Sequence, residues 1–74
     1  MLRVKLFRDA TPLFAGTAAH VVLPGEAGEV SVFESHAAML CVLTGGQVEI
    51  DEARFPVRGG VARVSRNAVT IVSR

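Results

Sequence analysis

This chain of 74 residues lacks several features that would assign it to a common functional class. Its one cysteine, Cys41, cannot form an internal disulfide, which fits a reducing compartment. It has no tryptophan, no tyrosine and four phenylalanines, so the aromatic platform of a nucleic-acid-binding sheet is missing. No apolar run approaches the about 18 residues of a membrane-spanning helix, and residues 1–5 do not begin the apolar core of a secretory signal. We therefore expect neither direct membrane insertion nor a nucleic-acid partner.

The residues that are present favour an all-β fold. Half of them are hydrophobic and a fifth are charged, which excludes intrinsic disorder. Glycine and proline divide the chain into short pieces in which β-branched and polar residues alternate, as in Gln47–Asp51. This spacing predicts one antiparallel β-sandwich or barrel domain over residues 1–74. The predicted strands are 2–8, 12–15, 17–23, 29–33, 39–43, 47–51, 54–58, 61–65 and 68–72.

Some segments between the strands predict local structure. Gly45-Gly46 and Ser65–Asn67 have the residues of tight hairpin turns, because glycine and asparagine tolerate positive φ. The pattern from 35 to 43 allows two interpretations: residues 39–43 form a strand, or Ser35 caps a short helix over the same apolar residues. The alternation also predicts a core, and the side chains expected to be buried are Val4, Leu6, Val22, Val32, Leu40, Val48, Val64, Val69 and Ile71.

The charged residues are unevenly distributed along the chain, although the net charge is only +1. Residues 1–8 carry three positive charges, residues 9–53 carry all seven acidic residues and no lysine or arginine, and residues 54–74 carry five arginines. Two interpretations are open. The terminal and central strands pair, so that their charges offset one another across the sheet, or the acidic segment forms a surface that meets a basic partner.

Few residues could support catalysis or metal binding. His20 lies in an alternating strand and is expected at or near the surface. His36 lies in a loop, where functional residues are common, but the two histidines do not have the spacing of a metal-ligand pair. Cys41 lies in an apolar run and is expected to be a buried small hydrophobic residue, not a nucleophile. We predict no catalytic residue, no metal site and no cofactor.

The order of several short motifs resembles one protein family. Val21–Glu29 is V-V-L-P-G-E-A-G-E, and His36-Ala37 follows it in a loop. Further along come Leu43–Val48 (L-T-G-G-Q-V), Gly59–Val64 (G-G-V-A-R-V) and Asn67–Val72 (N-A-V-T-I-V). This ordered set covers essentially the whole chain. It is similar to the N-terminal β-sandwich domain of the epsilon subunit of rotary ATP synthases, which corresponds to the delta subunit in mitochondria.

The resemblance implies an antiparallel sandwich of two about five-stranded sheets in the central stalk of the rotor. One side would meet the gamma subunit and one set of loops the c ring, so that the chain couples the two mechanically, without catalysis or a cofactor. The loop Glu29–His36 corresponds to the c-ring-facing loop of the family. There Glu29 is expected to pair with an arginine, His36 to pack or hydrogen-bond beside it, and Ser31 to support the contact. The implied location is the cytoplasmic face of the bacterial inner membrane, as a peripheral subunit that forms no homo-oligomer within the complex.

Two further expectations concern activity. Family members continue beyond the sandwich into a C-terminal helical hairpin, which is associated with inhibition of ATP hydrolysis and, in some members, with nucleotide binding. Since the sequence ends at Arg74, we expect neither activity from these residues. The alternative function is a stand-alone β-sandwich module that binds a small molecule or regulates a partner, and an enzyme is a third possibility, because a fold alone does not fix function.

Overall fold

The computed structural model describes residues 1–74 and consists of β-strands joined by short turns. Strands make up 73% of the chain and there is no helix, which confirms the all-β class. Accordingly, the structure has no apolar helix of membrane-spanning length. The nine strands are β1 (Leu2–Arg8), β2 (Thr11–Ala18), β3 (His20–Gly25), β4 (Gly28–Phe33), β5 (Met39–Leu43), β6 (Gly46–Ile50), β7 (Ala53–Val57), β8 (Gly60–Ser65) and β9 (Ala68–Ser73).

The strands form one hydrogen-bonded sheet that curls into a sandwich-like half-barrel. Five strands, in the order β2-β1-β9-β8-β5, make a first layer, and β4-β3-β6-β7 make a second layer. The expected pair of separate five-stranded sheets is thus a single sheet of five plus four strands, because β5 also pairs with β3 where the layers meet. The pairing is antiparallel throughout except between β1 and β9, which run parallel.

The prediction of a hairpin turn at Gly45-Gly46 is wrong. Strands β5 and β6 do not pair with each other; both lie along β3, with Leu43 opposite Gly25 and Glu49 opposite Val22. The chain therefore passes from the first layer to the second with a bend between β5 and β6, a common way to turn the corner of a sandwich.

The other two local predictions concern the segments around 35–43 and 65–68. Arg66 and Asn67 both have positive φ, 48° and 59°, and join β8 to β9 as a two-residue hairpin, which confirms that turn. The helix alternative after Ser35 is excluded, because residues 39–43 form β5 and pair with β8. The Ser35 N–H instead donates a hydrogen bond to Asn67 Oδ1 at 2.6 Å.

One hydrophobic core lies between the layers, and seven of the nine side chains predicted to be buried belong to it. The exceptions are Val22 and Leu40. In β3, Val21 and Leu23 point inward, so Val22 is half-buried on the outer side. In β5, Cys41 and Leu43 point inward, and Leu40 is 72% exposed. The seven confirmed core residues are Val4, Leu6, Val32, Val48, Val64, Val69 and Ile71.

Candidate interaction surfaces

The three residues expected to contact a c ring lie on β4 and in the segment that follows it. Glu29 and Ser31 are exposed on the outer side of β4, facing away from the core. His36 follows the end of this strand, where its backbone N–H donates to the Phe33 carbonyl oxygen at 3.2 Å. Its ring Nδ1 lies 2.7 Å from the Ala37 carbonyl oxygen, so the imidazole contacts its own loop.

The structure separates Glu29 from His36. Glu29 lies beside the β3–β4 turn, whereas His36 follows the opposite end of β4. Four residue steps join Glu29 to Phe33, and at about 3.3 Å per residue they span about 13 Å. The expectation that His36 packs beside Glu29 is therefore wrong. Contact of these residues with a c ring stays a prediction.

The outer face of the second layer is acidic, and we call it the acidic face; its charged groups are Glu29, Glu49, Asp51 and Arg54. Arg54 is its one arginine or lysine, and its Nε lies 3.8 Å from Glu49 Oε1 on the neighbouring strand. This is the one place where two strand residues offset each other's charge. Glu29 takes part in no ion pair.

Asp51, at the end of β6, is fixed by contacts within the chain. Its Oδ1 accepts hydrogen bonds from the backbone N–H groups of Ala19 at 2.9 Å and His20 at 3.1 Å. The His20 Nδ1 lies 3.6 Å from the same oxygen, and the half-buried imidazole, near the surface as expected, stacks on Phe33 with ring centroids 5.5 Å apart. Asp51 therefore joins the β6–β7 turn to the start of β3.

The outer face of the first layer combines exposed apolar side chains with positive charge, and we call it the basic face. Val42, Val61 and Val72 are direct neighbours across β5, β8 and β9, and they are 55%, 46% and 50% exposed. Leu40 lies next to Val42 on the same side of β5. No acidic residue occurs in any strand of this layer. The cations of the basic face are Arg3, Lys5 and Arg63.

Local sequence patterns do not predict the basic face, because the run Met39–Leu43 contains no polar residue that defines its orientation. A signal was nevertheless present in β8. Arg63 must face solvent, and Val61 stands two residues earlier, so both point to the same side of the strand. One such residue is ordinary on a protein surface, but its contiguous row with Val42 and Val72 is typical of a surface that another molecule covers.

The remaining reactive side chains are dispersed. No three His, Cys, Asp or Glu side chains lie close enough together to hold a metal ion. Cys41 is buried, as predicted, and burial raises the pKa of its thiol. An open concavity of about 390 Å³ at one end of the sandwich is lined by Arg8, Arg58 and Arg74, with Asp9 as its one acidic residue. The chemistry that these surfaces offer is recognition through apolar contact and charge.

These features define a small all-β domain with two chemically different outer faces. The family model described as "ATP synthase, Delta/Epsilon chain, beta-sandwich domain" matches residues 1–74. The chain therefore belongs to this family, which confirms the resemblance seen in the order of its motifs.

Individual relatives agree with this assignment. The chain is 40% identical over 67 residues to "ATP synthase epsilon chain 2" of Burkholderia orbicola, covering 82% of this chain and 44% of that protein. It is 38% identical over 77 residues to an "ATP synthase epsilon chain" of Hyphomonas neptunium, covering 97% of this chain and 57% of that protein. The chain thus spans about half the length of these relatives.

Solved structures show the same fold. A chain of the Euglena gracilis mitochondrial ATP synthase matches 97% of this chain with a TM-score of 0.85 and 22% identity, over 49% of its own length. A chain of the Tetrahymena thermophila central stalk and c-ring structure matches 97% of this chain with a TM-score of 0.79 and 18% identity, over 62% of its own length. At these identities the likeness establishes the fold alone.

Proposed function

We propose that residues 1–74 act as one β-sandwich domain of an epsilon-type subunit in the central stalk of a rotary, ion-translocating ATP synthase. In this role the chain is not catalytic. It fixes the gamma subunit to the c ring, so that rotation passes between them during ATP synthesis and ion transport. Its location is peripheral, at the cytoplasmic face of a bacterial inner membrane. Family membership supports this function, and the observation that carries it is the basic face.

The basic face is the docking surface for gamma in this proposal. Its valine row and Leu40 are apolar side chains that water contacts in the isolated chain, and burying apolar surface stabilises a complex by about 25 cal/mol per Å² before the costs of association. No strand of the first layer carries a carboxylate with which the surrounding cations could pair. A partner surface with an apolar centre and acidic residues around it would match both features.

The c-ring contact in this proposal involves Glu29 and Ser31 on β4. Glu29 is exposed and takes part in no ion pair, so its carboxylate is available for an arginine of the partner. Since His36 follows the far end of the strand, a contact that includes all three residues has to run along the whole of β4.

Co-purification with a tagged gamma subunit from the same organism tests the gamma contact. Val61→Asp introduces a carboxylate among the apolar side chains of the basic face, and we expect it to lower the affinity at least about tenfold. The matched control, Gln47→Asp, introduces the same charge at an exposed position of β6 and should bind like the unmodified chain. Equal binding by both variants, or no binding of the unmodified chain, would contradict the proposal.

The c-ring contact is tested separately in the assembled complex. Glu29→Arg should weaken retention of the chain on the ring and lower ATP-driven ion pumping, because it puts a positive charge opposite an arginine. Glu52→Arg makes the same change at an exposed turn at the other end of the sandwich and serves as the control. Full retention and normal pumping with Glu29→Arg would remove this site and leave the gamma contact standing.

A further inference from the structure

The hydrogen-bonding directions of β3 determine which backbone groups of β4 are free. The carbonyl oxygens of His20 and Pro24 accept bonds from Asp51 and Thr44, and the Glu26 N–H donates to Val42. The even-numbered residues of β3 therefore point toward β5 and β6. Because successive residues of a strand point their backbone groups to opposite sides, the odd-numbered residues bond to β4.

The same alternation leaves one side of β4 without a partner. Val32, Val30 and Gly28 lie opposite the odd-numbered residues of β3 and bond to them. The backbone N–H and C=O groups of Glu29 and Ser31 must then point away from β3, and β4 has no second neighbouring strand. β4 is thus an open edge of the sheet.

The edges on the opposite side of the sandwich, β2 and β7, are protected, whereas β4 is not. β5, across the groove from β4, pairs with β3 only at Leu43. β2 contains Pro12 and β7 contains Pro56, and proline blocks the addition of a further strand. These two edges also contact each other, since the rings of Phe14 and Phe55 lie 6.0 Å apart. Arg8, at the end of β1, donates a further hydrogen bond to the Pro56 carbonyl oxygen of β7. β4 has no proline and no lysine.

The surroundings of the β4 edge are suited to an extended peptide with alternating side chains. A groove of about 280 Å³ separates β4 from β5, and its apolar lining includes Val30, Met39 and Leu40. Glu26 also lines the groove and takes part in no ion pair. A strand placed here would direct apolar side chains into the groove and a basic side chain toward Glu26.

The geometry points to strand addition at the β4 edge by an extended segment of the gamma subunit. This inference rests on the function proposed above. The occupant is gamma because the groove opens onto Leu40 and Val42, so the β4 edge and the basic face form one continuous surface. The added segment alternates apolar and polar residues, with a basic residue opposite Glu26, and bonds only to the backbone N–H and C=O groups of Glu29 and Ser31. The outward-facing side chains of these two residues stay available for the c-ring contact.

Amide hydrogen exchange of the isotope-labelled chain, alone and bound to gamma, tests this inference. We expect exchange at the amides of Glu29 and Ser31 to slow at least about tenfold in the complex, because they gain acceptors. The amides of Val30 and Val32, already bonded to β3, should change little and act as internal controls.

A substitution provides the second measurement. Ser31→Pro removes a backbone donor on the open side while leaving the bonds to β3 intact, so the chain should fold and lose at least about tenfold in affinity for gamma. Ser31→Thr keeps the donor and should bind normally. Thermal melting of both variants verifies folding, and exchange at Glu29 remains informative in the unmodified chain if Ser31→Pro does not fold.

The outcomes separate the inference from the function on which it rests. A gamma complex in which the Glu29 and Ser31 amides exchange at their free rates would overturn strand addition and leave the function intact. If protection of the Glu29 and Ser31 amides grows with chain concentration in the absence of gamma, the edge binds a second copy of the chain. If this protection requires the c ring, the edge binds the ring. Either result overturns the inference. Absence of any gamma complex would overturn both.

Discussion

The two outer faces of the sandwich differ in charge although they belong to one continuous sheet. The basic face carries three cations and exposed apolar side chains, and its layer has no acidic residue in any strand. The acidic face carries three carboxylates, and Arg54 alone among lysines and arginines offsets them. The difference arises because the cations of the first layer lie on β1 and β8, near the two ends of the chain. The second layer consists of residues 20–33 and 46–57, from the middle of the chain.

This segregation favours the second interpretation of the charge pattern. Offsetting between the terminal and central segments is confined to two ion pairs, Arg54 with Glu49 and the N-terminal amine with Glu34. The cations Arg3, Lys5 and Arg63 and the carboxylate of Glu29 take part in no ion pair. Unpaired charges of one sign on a face steer a partner of opposite sign and suppress wrong partners. The two faces are therefore suited to two chemically different partners.

The largest expected effect tests which side of the sheet a leucine belongs to. Leu6 is fully buried, so Leu6→Ala should lower the free energy of unfolding by about 2–5 kcal/mol. Leu40, on the basic face, is 72% exposed, and Leu40→Ala should cost less than about 0.5 kcal/mol. Urea denaturation measures both. A loss above about 2 kcal/mol for Leu40→Ala would move this residue into the core and break the description of the basic face.

The example of Leu40 shows how far the sequence can predict this molecule. Strand positions follow from alternation and breakers, and β1, whose Arg3 and Lys5 define its outer side, is predicted with its correct orientation. β5 has five apolar residues in succession, so either set of alternate residues could face the core. Only its register with β8, a long-range property, directs Cys41 inward and Leu40 outward.

The candidate sites show the same limit. Glu29 and Ser31 are candidate contact residues through the family resemblance, and the structure places both on the exposed side of β4. The predicted strand 29–33 already implies that Glu29 and His36 are separated, because an extended strand places its two ends far apart. The open edge of β4 depends on which strands become neighbours, and no local pattern contains that information.

The second expected effect distinguishes Cys41 from its neighbours by chemical labelling. Cys41 is 6% exposed, and burial raises the pKa of its thiol, so both access and thiolate fraction are low. Alkylation by iodoacetamide should be at least about 100-fold slower in the folded chain than in urea. In a Cys41→Ala background, Leu40→Cys and Val42→Cys should react at nearly the unfolded rate. Fast labelling of Cys41 would show that β5 presents its other side to solvent.

The third effect separates an acid that stabilises the fold, Asp51, from the exposed acid next to it, Glu52. Asp51→Ala removes two backbone hydrogen bonds and should lower the free energy of unfolding by about 1.5–3 kcal/mol, because the acceptor is charged. Glu52→Ala, at the next position and exposed, should change it by less than about 0.5 kcal/mol. Thermal or urea unfolding of the two variants makes the comparison. Equal free energies of unfolding for the two variants would mean that Asp51, like Glu52, makes no stabilising contact within the chain.

The smallest effect concerns Glu49 and Arg54, the one ion pair between strand residues. Their side chains are 33% and 66% exposed, and the charged atoms lie 3.8 Å apart, so water and salt screen the attraction. A double-mutant cycle with Glu49→Gln and Arg54→Gln should give a coupling energy below about 1 kcal/mol, and the coupling should shrink further in high salt. Such a weak coupling leaves Glu49 free to exchange Arg54 for a cation of a partner. A coupling energy above about 1.5 kcal/mol that persists in high salt would mean that Arg54 neutralises Glu49 within the acidic face. The contrast in charge between the two faces would then rest on Glu29 alone.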